Sequence, residues 1–127
     1  MTYQLTISRK TDYLHAIVTG QNTLRNIKQY LQQIIHECKD ANCSRLLIEK
    51  RLEGPRLNAL DVFEIASEES RRAVGVFSAI AHVDINSEGD LMKFAETVAV
   101  NRALPVRTFP TVAEAEKWLM PADGRST

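Results

Sequence analysis

The sequence predicts an α/β domain: a mixed five-stranded sheet wrapped by amphipathic helices, in the element order ββαβαβαβα. Three observations carry this. Two period-two segments open the chain, Tyr3–Leu5–Ile7 and then 13–19, separated by the short polar stretch 9–12. From Leu24 onward the period changes to that of a helix, and helical stripes alternate with short apolar runs. One of those runs, 75–83 (GVFSAIAHV), is apolar or small on both faces, as a central strand covered by helices would be.

Each element has its own local reason. In the first segment, Tyr3, Leu5 and Ile7 alternate with Gln4, Thr6 and Ser8. The second (YLHAIVT) is rich in β-branched and aromatic residues and stops at Gly20. A short polar connection favours a hairpin between them. Leu24, Ile27, Leu31, Ile34 and Cys38 then fall on one helical face, with Asn22 or Thr23 as cap, over about 23–40. A third strand follows at 45–52 (RLLIEKRL), broken by Glu53-Gly54-Pro55-Arg56. Asn58 is placed to cap a second helix running to about Arg72, with Asp61 in its first turn. Val62, Ile65, Ala66 and Phe63 are its inward side chains by this spacing.

After the central strand comes a loop at 84–89. Ser87 and Asp90 mark a third helix start, and Leu91, Phe94, Ala95 and Val98 form its stripe. Pro105 opens a short strand at 105–109, which suits a sheet edge. Thr111 and Glu114 form a capping box for a last helix that buries Val112, Ala115, Trp118 and Leu119. Residues 1–120 are thus expected to form one domain, and 121–127 a flexible polar tail. After the hairpin every connection is a helix, so the later strands are expected to be parallel, with right-handed crossovers.

Composition narrows the function classes. A chain of 127 residues can bury roughly two-thirds of its unfolded surface, so a core needs no staples. Sixteen basic and 16 acidic residues balance, which draws the chain neither to nucleic acid nor to an anionic membrane. No apolar run approaches the ~20 residues of a membrane span. Residues 1–10 lack the apolar core of a secretion signal, and two cysteines make no disulfide scaffold, so a cytoplasmic location is expected.

The order of elements, the GVFSAIAHV strand and the ending VRTFPTVAEAEKWL together resemble the STAS-like domains, relatives of sulfate-transporter and anti-sigma-factor-antagonist domains. The nearest likeness is to the single-domain bacterial branch described as STAS/SEC14-like. There an (I/V)R-x-F strand leads into an (E/D)-A-x-x-W-L helix, here Val106-Arg107-Thr108-Phe109 and Glu114 to Leu119. The likeness spans residues 3–119. It implies a non-enzymatic interaction or regulatory module that binds partners through the second helix and the loop before it. One departure matters. Anti-sigma-factor antagonists carry a phosphorylatable serine at the start of the second helix, and this chain has Arg56-Leu57-Asn58-Ala59-Leu60 there. A phosphoswitch at that position has no hydroxyl to act on.

The candidate chemistry is thin. His36, Cys38 and Cys43 number three where a structural zinc site takes four, and Cys38 continues a buried stripe, so no metal site is expected. No phosphate-cradling glycine loop and no nucleophile elbow occur, so no catalytic residue and no cofactor are assigned. His82 near Asp84 could orient an imidazole as a base, but reads better as a polar strand end. Lys50, Arg51 and Arg56 precede the helix start at Asn58, where an anion could be held. In open α/β sheets ligands collect beyond the carboxyl ends of the strands. The binding edge is therefore expected at 51–58 and 83–88, with Arg51, Arg56, Asn58, His82 and Asp84 as its residues. The second helix near Glu64, Glu68 and Arg71 forms the flank. The occupant is a protein partner or, as the alternative function, an anionic or lipid-like ligand held by a carrier or sensor. An edge strand and helix faces also suit a homodimer.

Overall fold

The computed structural model describes residues 3–21, 23–53, 58–84 and 89–120. The opening hairpin is β1 (Tyr3–Arg9) and β2 (Leu14–Gln21), antiparallel with Tyr3 opposite Gly20 and Arg9 opposite Leu14. Then follow α1 (Leu24–Asp40), β3 (Arg45–Glu53), α2 (Ala59–Ala73), β4 (Ala79–Asp84), α3 (Gly89–Asn101), β5 (Val106–Phe109) and α4 (Val112–Leu119). The strands lie in the order β1-β2-β3-β4-β5, and β2 through β5 are parallel. This is the mixed five-stranded sheet that the alternation of periods predicts.

Strand parity divides the core in two. On one face Leu14, Ala16, Val18, Leu46, Ile48 and Ile80 pack against Ile27, Tyr30, Ile34 and Cys38 of α1, Ile65 and Ala73 of α2, and Ala99 of α3. On the other, Leu47, Ala81 and Val83 pack against Ala115 and Leu119 of α4. Leu46, Leu47 and Ile48 are all buried because β3 has helices over both its faces. Each fully buried Leu or Ile contributes about 1.5–3 kcal/mol relative to exposure.

The helix ends follow local chemistry. Thr23, Asn58 and Thr111 each accept from the backbone N–H three residues on. The C-termini of α1 and α3 both close with a left-handed residue. Asn42 (φ 53°) lets Cys43 N–H donate to Cys38 O and Asn42 N–H to Lys39 O. Ala103 (φ 67°) does the same for Leu104 with Ala99 and Ala103 with Val100. Both are Schellman closures.

Four expectations need correction. The fourth strand starts at Ala79, not at 75, because Gly75 turns with φ +85° and Val76 N–H donates to Ala73 O. Ser78 N–H then donates to Ser44 O at 2.8 Å, aligning β4 beside β3. The middle strand is β3, with β4 next to it. Phe63 is 42% exposed and Phe94 36%, so neither is a core residue. A stripe read from spacing fixes an angle around the helix, and not how far the neighbouring helix reaches over it. Arg56, the Ser87 cap and the 121–127 tail lie outside the described residues, and the side chains of Asp84 and Leu91 are likewise undescribed. No described helix is long and apolar enough to cross a membrane.

Candidate functional site

The carboxyl ends of the parallel strands bring together Gln21, Glu53 and Asp84, the last residues of β2, β3 and β4. The caps of α1 and α2, Thr23 and Asn58, follow the first two of these ends. Asn58 Oδ1 accepts from Asp61 N–H at 2.8 Å, so its side chain is occupied in starting α2. In register, Lys50 of β3 stands opposite Asp84 of β4, and Ile48 opposite His82. The topology thus places Arg51, Asn58, His82 and Asp84 around one end of the sheet, on different faces.

Parity separates Arg51 from His82. His82 shares the helix-covered face with Ile48 and Ile80, whereas Arg51 shares the opposite face with Leu47 and Glu49. The Nε2 of His82 is shielded from solvent and has no hydrogen-bond partner among the described residues. Burial, and secondarily the Lys50 charge, holds its pKa well below the ordinary 6.5. His82 is therefore a neutral imidazole at neutral pH. Lys50 lies 5.8 Å from the centroid of the Tyr30 ring, a cation–π approach across the β3–α1 contact.

Arg51 is engaged from below. Its Nε donates to Glu49 Oε2 at 2.7 Å, and Nη2 pairs with the same oxygen. Glu49 is only 4% exposed, and its other oxygen meets His15 Nε2 at 3.0 Å. A buried carboxylate is tolerable only when its lone pairs are satisfied, and here two flanking strand residues do that. Local period puts His15 and Glu49 on strands and does not join them. The signal was the one acidic residue directly after the apolar stretch Leu46-Leu47-Ile48; the pairing needed the β2–β3 register, with Ile17 opposite Glu49. Arg51 serves this carboxylate, which reduces what it can offer an anion at the sheet edge.

The α2 surface differs from its expected form. Glu64 and Glu68 turn to α1, where Lys28 Nζ pairs with both, the latter at 3.4 Å. The bond to Glu64 above all raises the Lys28 pKa. Glu69 is buried; burial raises its pKa, partly offset by the Arg72 guanidinium 3.5 Å away. What α2 presents outward near its start is apolar: Leu60 is 76% exposed and Phe63 carries Arg102 of the α3 terminus at 5.3 Å. Leu60 and Phe63 are one helical turn apart, so they form a single patch two residues beyond the Asn58 cap.

On the far side, Tyr13 OH donates to Glu116 Oε2 at 2.7 Å, lining a shallow groove with Ala113, Lys117 and Met120. Burial, then that bond, pushes the Tyr13 pKa up to about 12. Burial likewise pushes the Cys38 thiol up to about 12, so it is an inert core group. His36 is exposed and pairs with Asp40 at 3.2 Å, one turn on.

No family model matches the chain, and no curated relative matches it. Solved structures do. An uncharacterised protein of the DUF3478 family with a SpoIIAA-like fold, from Shewanella loihica PV-4, is 17% identical with a TM-score of 0.57. The alignment covers 94% of this chain and 96% of that one. An anti-sigma factor antagonist from Mycobacterium paratuberculosis is 12% identical with a TM-score of 0.58, covering 92% and 93%. At these identities the likeness is one of fold. The chain has the SpoIIAA-like, STAS-like architecture that its element order and its closing strand–helix segment had implied.

Proposed function

We propose that this STAS-like domain is a non-enzymatic interaction module that docks a protein partner on the N-terminal half of α2. The observation that carries the reading is the exposed pair Leu60 and Phe63, directly after the Asn58 cap. Large apolar side chains left in water at adjacent helical positions cost solvation free energy that a partner's surface would recover. The flanking charges do not compete for that surface: Glu64 and Glu68 are drawn to Lys28 of α1. The anti-sigma factor antagonist with the same fold supports a protein partner, as does the lack of a hydroxyl at position 58 for a constitutive rather than phosphorylation-gated contact.

The test compares the wild-type chain with Leu60→Glu, Phe63→Glu and, as a distant control, Lys117→Glu on α4. In affinity capture from the source lysate, a partner held by the wild type and by the control should be lost at least tenfold with either α2 variant. Circular dichroism should show all four folded alike. A partner retained by both α2 variants, or lost equally with the control, sinks the proposal.

A further inference from the structure

Among the described residues, no strand pairs with the outer rim of β1. β1 stands at the end of the sheet, and its inner rim pairs with β2 along all seven residues. An open row of N–H and C=O groups is a template for another strand. Proteins blunt such rims with short strands, proline, bulges or inward charge. The opposite edge is blunted in this way: β5 has four residues, follows Pro105 and carries Arg107. β1 is not. Its register to β2 runs unbroken from Tyr3 to Arg9, with no bulge, no proline and no charge before Arg9.

We propose that β1 pairs antiparallel with β1 of a second copy of this chain, about a two-fold axis through Thr6, so that two sheets become one. A second copy is singled out by row-by-row complementarity. With Thr6 opposite Thr6, the other rows are Leu5 with Ile7, Gln4 with Ser8, and Tyr3 with Arg9. Opposed residues of antiparallel strands share a face, so each row is a side-chain pair. Leu5 and Ile7 are half-buried and already pack against the larger core, so their row continues that core across the axis. Gln4 and Ser8 meet as hydrogen-bonding partners on the other face. The Arg9 guanidinium, which donates to Ala41 O at 3.1 Å, comes beside the Tyr3 ring of the other copy as a cation–π pair. No like charges oppose each other. Centring the axis on Ser8 instead would set Arg9 against Ile7 and Lys10 against Thr6, and centring it on Gln4 would shorten the overlap.

Size decides the strength. One strand pair with its flanks buries less than the ~1,600 Å² of a standard interface, so the dimer is weak and exchanges quickly. Sedimentation velocity of the full chain should show a monomer giving way to a dimer as concentration rises toward about 1 mM. Thr6 is exposed in the monomer. Thr6→Lys should therefore leave the thermal midpoint unchanged while placing two ammonium groups opposite each other at the axis, weakening association at least tenfold. Thr6→Glu should do the same alone. An equimolar mixture of the two variants should associate again. A wild type that stays monomeric at every concentration overturns the proposal. So do single variants that associate as the wild type does, or a mixture that does not recover.

Discussion

His82 and Glu49 occupy the same sheet and met opposite solutions to burial. Glu49 keeps its charge environment satisfied by His15 and Arg51 on the face that α4 only partly covers. His82, on the helix-covered face, has a shielded Nε2 and Lys50 nearby, and its pKa falls well below 6.5. The sign follows directly. The unfolded chain binds a proton on this imidazole near pH 6.5, whereas the folded chain resists it, so the stability tied to a neutral His82 is full above that value. It is lost as pH drops from there toward the folded pKa. Between about pH 7 and pH 5, wild-type stability should therefore decline with a contribution of up to about 1.4 kcal/mol per pH unit from this residue. Measured by urea denaturation, the stability of the wild type minus that of His82→Leu should fall steadily toward the acid end of that range. Parallel curves would mean that the imidazole is protonated in the fold without penalty. Glu69, with its raised pKa, acts oppositely, and because both proteins carry it, the difference between them isolates His82.

At the scale of elements, the helix starts carry chemistry that could be mistaken for function. Asn58 lies where the anti-sigma-factor-antagonist likeness would put a serine, yet its Oδ1 accepts from Asp61 N–H at 2.8 Å and its work there is that of a cap. Asn58→Ala should cost about 1 kcal/mol in chemical denaturation, and Asn58→Asp should cost far less, because aspartate caps equally well and complements the helix dipole. A loss of partner capture by Asn58→Asp with stability intact would instead give this side chain a direct role in binding. The C-terminal closures are similarly local. Asn42 suits its left-handed position, whereas Ala103 occupies one at a steric cost of about 1–2 kcal/mol, held there by the bonds from Leu104 to Ala99 and from Ala103 to Val100.

The whole molecule rests on two cores of unequal size. The larger holds α1, α2 and α3 against the sheet; the smaller is α4 against Leu47, Ala81 and Val83, with the Trp118 ring 5.5 Å from that of Phe109 and tilted 47° to it. They share the central strands, since neighbouring residues of β3 and β4 point alternately into each. That sharing couples them, because α4 cannot leave without exposing the strands that floor the larger core. Thermal unfolding followed by Trp118 fluorescence and by far-ultraviolet circular dichroism should give one midpoint and one enthalpy. A Trp118 transition several degrees earlier would show α4 as a separately melting unit.

Much of this architecture was legible in the residues alone. The period of two in Tyr3, Leu5 and Ile7, the helical spacing from Leu24 to Cys38, and the capping residues Thr23, Asn58 and Thr111 report backbone geometry that is set within a few residues. The element order and the mixed sheet therefore followed, and so did the STAS-like likeness. The Gly75 turn was harder to see, because GVFSAIAHV is apolar throughout and hydrophobicity does not register a positive φ. The sites were least legible. That Arg51 serves Glu49, that Glu64 and Glu68 turn to Lys28, and that Phe63 is left in water each depend on which strand or helix comes alongside. Local period determines what each segment becomes, since it is a property of successive residues. Only register and packing decide which side chains meet, since those pairs are brought together by segments far apart in the chain.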